Sequence, residues 1–392
     1  MKIIAFYLPQ FHEIPENDEW WGKGFTEWVN VRRAKPLFPG HAQPRIPLNG
    51  DYYDLLSDGV ARRQAELAKQ YGIYGFCYYH YWFNGKLVLE KPMERMLADP
   101  GIDLPFCICW ANEPWTKAWV GGKEVLLPQF YGGEEEWTEH YRYLSPFLHD
   151  SRYICEDGMP LLVIYRAEVI PRLNEMLELW RRLAVQDGFK GLKFAYQDIT
   201  FDKLRGRDDS AFDYNIEFQP IYAWWDMNSR SALKGSRLWA RLRSAKRKAF
   251  TAIERRTGFD MERRLDSKTH KGTAPTLLDY DEVWQTILAC VPESEKNLPG
   301  AFVSWDNSPR KGMNSRVSVG DDPEKFEHYL TQQIRRARGV YGKDYLFMYA
   351  WNEWAEGGYL EPDERFRYGN LQAIRNALDK TGENPWSRGG QH

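Results

Sequence analysis

Residues 345–361 read YLFMYAWNEWAEGGYLE. The first seven are apolar or aromatic without a break, the pattern of a strand buried on both faces. Polarity then returns abruptly with Asn352, Glu353 and Glu356, set among tryptophans. The same arrangement recurs along the chain: an apolar or aromatic run that ends in polar residues. It is found in KIIAFYLPQFH (2–12), YGFCYYHYW (74–82), PFCICWANE (105–113), PLLVIYR (160–166), KFAYQD (193–198), FDYNIEFQP (212–220) and GAFVSWDN (300–307). Between most of them lie segments of helical period, at 58–71, 91–98, 134–148, 169–188, 281–291, 323–342 and 367–378. Pro323 at the start of one helix and Gly342 at its end follow the usual asymmetry of helix termini. Eight strands alternating with helices predict an α/β chain folded as a (β/α)8 TIM barrel. An open doubly wound sheet is the alternative.

Barrel chemistry collects where the strands end. Those ends carry Gln10 and His12; His80, Tyr81 and Trp82; Trp110, Asn112 and Glu113; Gln197 and Asp198; Glu217 and Gln219; Trp305, Asp306 and Asn307; and Asn352, Glu353 and Glu356. Two segments break the alternation within what reads as a single catalytic domain over 1–392. A long loop after strand 1 (13–57), rich in Pro, Gly and aromatics, is long enough to wall a cleft. After strand 6, residues 226–272 form a basic helical insertion, with fourteen Lys/Arg against four Asp/Glu between Arg230 and Lys271. Its Leu238, Leu242, Ala245, Ala249 and Ile253 fall at helical spacing with cations opposite. Such a helix suits a membrane surface, an acidic partner or an anionic glycan, and equally a solvated insertion packed on the barrel.

Net charge is -2, which points neither to nucleic acid nor to a membrane. Aromatics reach 15%, including 17 Trp and 23 Tyr. Flat rings with a polar edge suit sugars, although large cores use them too. The five cysteines form no metal-type pattern, and an odd count in apolar runs fits reduced thiols in a cytosol. No signal-type start and no 18-residue apolar run is present, so a cytoplasmic location is expected. Phosphate-cradling glycine motifs are missing, GDD (320–322) and RDD (207–209) sit in loops, and neither a metal nor a cofactor is expected.

Cleaving a glycosidic bond takes a proton delivered to the leaving oxygen and a second group on the other side of the bond. Glu353 and Glu356 stand at i and i+3, which a helical turn would bring to one face with Cβ atoms about 5–6 Å apart. Mutual repulsion and aromatic walls favour keeping one protonated while the other stays ionised. The alternative is an acidic pair placed for a helix dipole.

WNEWAEGGYLEPD (351–363), FYLPQFHEIPEND (6–18) with WWGKGFTEW (20–28), and CWANEPWT (109–116) resemble the WbsX-type family, labelled glycosyltransferase. That family is related to glycoside hydrolase family 99, of endo-α-mannosidase type, through the motif around the two glutamates. The resemblance implies a (β/α)8 barrel and metal-independent, retaining cleavage of α-linked sugars through a 1,2-anhydro intermediate. Carried over, Glu353 deprotonates the sugar 2-hydroxyl, and Glu356 protonates the leaving oxygen and then activates water. Ala355 stands where family 99 has histidine, and Gly358 where its motif continues with threonine, so mannose is not to be assumed.

Around the pair, His80, Tyr81, Asn112, Glu113 and Asn352 are expected to bond sugar hydroxyls, with Glu217 and Asp306 orienting a hydroxyl or tuning a partner. Trp28, Trp82, Trp110, Trp305 and Trp354 are expected to stack on ring faces, and His12 and Glu27 to join the rim. Packing is the alternative for each. The expected function is a glycoside hydrolase acting on an α-linked oligo- or polysaccharide. A glycosyltransferase of surface-polysaccharide assembly and a non-catalytic glycan-binding protein are the competing classes.

Overall fold

The computed structural model describes residues 1–116, 124–199, 209–225, 227 and 274–387. The basic insertion read at 226–272 therefore lies almost wholly outside the described residues. Eight strand positions carry the architecture: β1 (Lys2–Tyr7), β2 (Gly75–Phe83), β3 (Phe106–Trp110), β4 (Met159–Ile164), β5 (Lys193–Asp198), β6 (Tyr214–Glu217), β7 (Asn297–Leu298 and Gly300–Phe302) and β8 (Tyr345–Tyr349). Each pairs in parallel with its sequence neighbour, and β1 also pairs with β8, with Ala5 opposite both Phe76 and Met348. Closure runs through β7. Its first half lies on β6, Ile216 opposite Leu298, and its second on β8, Ala301 opposite Met348. Only Pro299, which has no N–H to donate, separates the two halves. The sheet is thus a barrel, as the alternation predicts.

Helices α1 (Pro15–Trp21), α2 (Glu27–Arg33), α3 (Val60–Gln70), α4 (Lys91–Ala98), α5 (Glu134–Leu148), α6 (Leu173–Gln186), α7 (Tyr280–Ala289), α8 (Ser308–Lys311), α9 (Pro323–Gly339) and α10 (Gly369–Thr381) follow the strands. Asp322 caps α9 by accepting from the Lys325 N–H, with Pro323 at the first helical position. Along each strand alternate residues face opposite ways. Phe6 points into the barrel, its ring 5.6 Å from Tyr79, 5.5 Å from Phe218 and 5.6 Å from Phe347. Its neighbour Tyr7 points out and donates to Gln64 on α3 at 2.7 Å.

Two features shape the mouth. The loop after β1 holds α1 and α2 and crosses to the chain after β8, where Leu48 N–H donates to the Pro362 carbonyl at 3.0 Å. Strand β7 ends at Phe302, earlier than the run GAFVSWDN suggests. Residues beyond it leave the sheet because they bond the rim: Asp306 N–H to the Glu356 carbonyl at 2.6 Å, and Asn307 Oδ1 from the Arg316 N–H at 2.9 Å. Among the described residues no helix is long and apolar enough to cross a membrane.

Candidate active site

After β8 the chain makes a hairpin in which Asn352–Glu353 pairs antiparallel with Gly358–Tyr359. A single 3₁₀ turn, Trp354–Glu356, joins the two sides. Residues i and i+3 eclipse in such a turn, so Glu353 and Glu356 project to the same side. The two glycines that follow are dictated locally. Gly357 adopts φ +66°, and a Cβ there would lie 2.8 Å from Asp306 N. A Cβ on Gly358 would lie 2.3 Å from the Tyr349 ring. That ring matters because its hydroxyl donates to Glu356 Oε2 at 2.6 Å. Gly358→Ala is therefore expected to dislodge the phenol and lower kcat by roughly 10- to 100-fold, the worth of one hydrogen bond to a charged group. Steady-state kinetics beside a Tyr349→Phe variant check this, the two losses being of similar size.

Arg310, on α8 just beyond β7, gathers the carboxylates. Its Nη2 lies 3.0 Å from Glu353 Oε1 and 3.2 Å from Glu27 Oε2, and its Nη1 2.9 Å from Glu356 Oε1. Gln10 Oε1 accepts from Nη2 at 3.4 Å, while Gln10 Nε2 donates to the Tyr81 hydroxyl at 3.0 Å. The side chains of Arg310, Glu353 and Glu27 are 6%, 4% and 3% exposed, whereas Glu356 is 22% exposed. Burial pushes the Glu353 carboxyl up to about 8; Arg310 opposes the rise, and the Glu356 and Glu27 charges add to it. The site thus presents one deep, readily protonated carboxyl and one that is partly exposed.

Of the residues expected at the rim, Glu353, Glu356, Glu27 and Tyr81 converge here. Strand parity sends others elsewhere. Tyr79 and Tyr81 face inward, so His80 and Trp82 face the helices. His80 Nε2 lies 2.9 Å from His140 Nε2 on α5, and Trp82 stacks on the His140 ring at 4.6 Å. Trp110 packs in the same layer against His140 and Trp180. Glu217 also faces outward, accepting from Asn297 at 3.0 Å and Tyr341 at 2.8 Å, while Phe218 beside it faces in.

Two asparagines are backbone clamps. Asn352 accepts from Leu8 N–H at 2.8 Å and donates to the Leu8 carbonyl at 2.9 Å. Asn112 does the same with Arg166, at 2.7 and 2.9 Å. Glu113 pairs with Arg166, and buried His12 senses Asp54, Glu90 and Arg95 rather than the glutamate pair. Trp28 and Trp354 are buried beneath the pair, with ring centroids 5.4 Å apart. Trp354 Nε1 donates to Glu361 at 2.7 Å. Trp305 is equally buried and stacks on Tyr349 at 5.3 Å. Asp306 holds the turn from behind. Its Oδ2 accepts from Gln43 at 2.6 Å and lies 2.8 Å from His41 Nε2. Against the upward push of burial, the bonds from His41, Ser308 and Gln43 and the Arg45 charge keep its carboxyl below the ordinary range.

Arg310 and Tyr349 are the contributors that strand-end reading passes over. Inward Phe347 places Tyr349 inward too, a signal that parity alone supplies. Arg310 lies beyond the strand, and only the third dimension brings it to the pair.

A family model described as Glycosyltransferase WbsX matches residues 3–374. The chain belongs to that family. Two curated relatives of this WbsX-family chain, each named uncharacterized protein WxcX, come from two strains of Xanthomonas campestris pv. campestris. Each is 37% identical over 381 residues, and the match covers 96% of this chain but 50% of the relative. The chain thus spans about half the length of the curated relatives it matches. Among solved structures, a GH99 endo-alpha-mannosidase from Bacteroides thetaiotaomicron aligns with a TM-score of 0.52 at 12% identity, over 98% of both chains. A structure titled glycoside hydrolase-like protein aligns with a TM-score of 0.53 at 12% identity, over 96% of this chain and 93% of the other. The WbsX-family chain therefore shares its fold with that GH99 endo-alpha-mannosidase.

Proposed function

We propose that this chain is a glycoside hydrolase that cleaves an α-linked glycosidic bond in an oligo- or polysaccharide with retention, through a 1,2-anhydro sugar. Glu353 takes the proton of the 2-hydroxyl, and the freed oxygen attacks the anomeric carbon from the face opposite the leaving group. The glycosidic C–O bond breaks as Glu356 passes its proton to the departing oxygen. Glu356, now ionised, takes a proton from water, whose oxygen opens the anhydro ring at the anomeric carbon. Glu353 returns its proton to O2, and the enzyme is as it began. Two inversions leave the configuration retained.

The observation that carries this reading is the pair itself: two carboxylates on one guanidinium, one deep and one partly exposed, at the end of β8. A deep base suits a hydroxyl on the bound ring, and an accessible acid suits an oxygen whose aglycone must leave. The whole of 1–392 acts as the catalytic unit in this proposal, with 226–272 as an accessory insertion. The five free cysteines fit a reducing, cytoplasmic setting. Bacterial surface and capsular polysaccharides are the screening set. Proton NMR of the first-formed reducing end is expected to show the α-anomer, and a β-anomer at early times would refute the mechanism.

A second reading rests on the family's description as a glycosyltransferase. A sugar hydroxyl replacing water in the second step would turn hydrolysis into transglycosylation at the same pair. Calorimetric binding of a UDP- or GDP-sugar would favour a nucleotide-sugar donor instead.

A further inference from the structure

Arg310 does more than neutralise a neighbour. Three carboxylates reach its guanidinium from separate elements: Glu27 from α2 in the β1 loop, and Glu353 and Glu356 from the turn after β8. Among the described residues the other groups facing the cluster include the Tyr81 phenol on β2, the Tyr349 phenol on β8 and the uncharged amides of Gln10 and Asn30, the last donating to Glu27 at 3.3 Å. A guanidinium is permanently charged and only donates. Fully ionised, the cluster would bury two surplus negative charges, a cost that buried sites relieve by keeping a proton. Stripped of the cation, three adjoining carboxylates would keep more than one.

We propose that Arg310 is a positioning residue that holds Glu353 and Glu356 on one planar fork and confines the three-carboxylate cluster to a single retained proton. With that proton on the pair, one member is ionised while the other is protonated, the state that an acid–base pair needs. A lysine cannot substitute fully, because a point charge on a flexible stem lacks the two-pronged geometry. The catalytic meaning of this inference rests on the glycosidase reading above; the proton count does not.

The test counts protonated carboxyls at pH 7 by infrared spectroscopy, using wild type, Arg310→Met, Arg310→Lys and the double variant Arg310→Met/Glu27→Gln. Arg310→Met is expected to gain protonated-carboxyl absorbance over wild type, and the double variant to lose that gain because one carboxylate has gone with the cation. Arg310→Lys is expected to keep the wild-type count while kcat falls at least tenfold, with the pH limits of activity little moved. An unchanged count in Arg310→Met overturns the proposal, as does a lysine variant of wild-type kcat. Should Arg310→Met not fold, an infrared count above wild type in Arg310→Ala that guanidinium ion at non-denaturing concentration reverses supports the same point. Failure of added guanidinium to change that count overturns it. If turnover survives Glu353→Gln and Glu356→Gln, the glycosidase reading falls, yet the infrared count still decides the role of Arg310.

Discussion

Glu353→Gln is expected to lower kcat by roughly 10³- to 10⁴-fold on every substrate, whatever its leaving group, while KM changes little. The substituted amide is isosteric and cannot accept the 2-hydroxyl proton, so the internal nucleophile never forms. The loss should be chemical rather than structural. Glu353 is a buried carboxyl whose charge burial disfavours, and Arg310 keeps Glu27 and Glu356 when it is replaced. Thermal unfolding is therefore expected to occur at or slightly above the wild-type temperature. Full activity in a folded Glu353→Gln enzyme would remove the base from the mechanism. A raised KM with kcat unchanged would instead point to a binding role.

How much of this was legible beforehand differs by level. The barrel was, because eight near-continuous apolar runs separated by helical periods leave few other ways to bury strands on both faces. The glutamate pair was legible for a local reason. Its geometry is set within one 3₁₀ turn, and i,i+3 spacing carries that information in one dimension. The surrounding shell was read less well because a strand end offers several polar residues at once. Period-two alternation admits only every other one to the barrel interior, as Tyr81 shows against His80 and Trp82. The asparagines are less legible for another reason. Asn352 and Asn112 sit at rim positions, but their amides match the free backbone groups of Leu8 and Arg166, and that pairing exists only once the loops are placed. Arg310 shows the same limit from the opposite side. Nothing in SPR at 308–310 marks a cation that will meet the pair until β7 and β8 are adjacent in the closed barrel.

Glu356→Gln should behave differently from its partner, and the difference assigns the roles. On a sugar with an ordinary alkoxide leaving group, the loss of a general acid is expected to cost about 10²- to 10⁴-fold. On an aryl glycoside whose phenol leaves unaided, with azide supplied to open the anhydro ring in place of base-activated water, most of that cost should vanish. The pH dependence then becomes decisive. In the wild type the pair works with one proton between its members, so activity must fall as pH rises through the Glu353 titration near 8, when the last proton leaves. That descending limb alone does not reveal which carboxyl holds the proton, because either distribution gives the same bell. With Glu356 neutralised, the leaving group activated and azide opening the ring, only the base must be in its right form. Glu353 works when ionised, so the rate should now rise with pH and level off. The rise should also lie below pH 8, since the Glu356 charge that helped to push Glu353 up is gone. A rate that instead fell with pH in this variant would make Glu353 the proton donor and reverse the two roles.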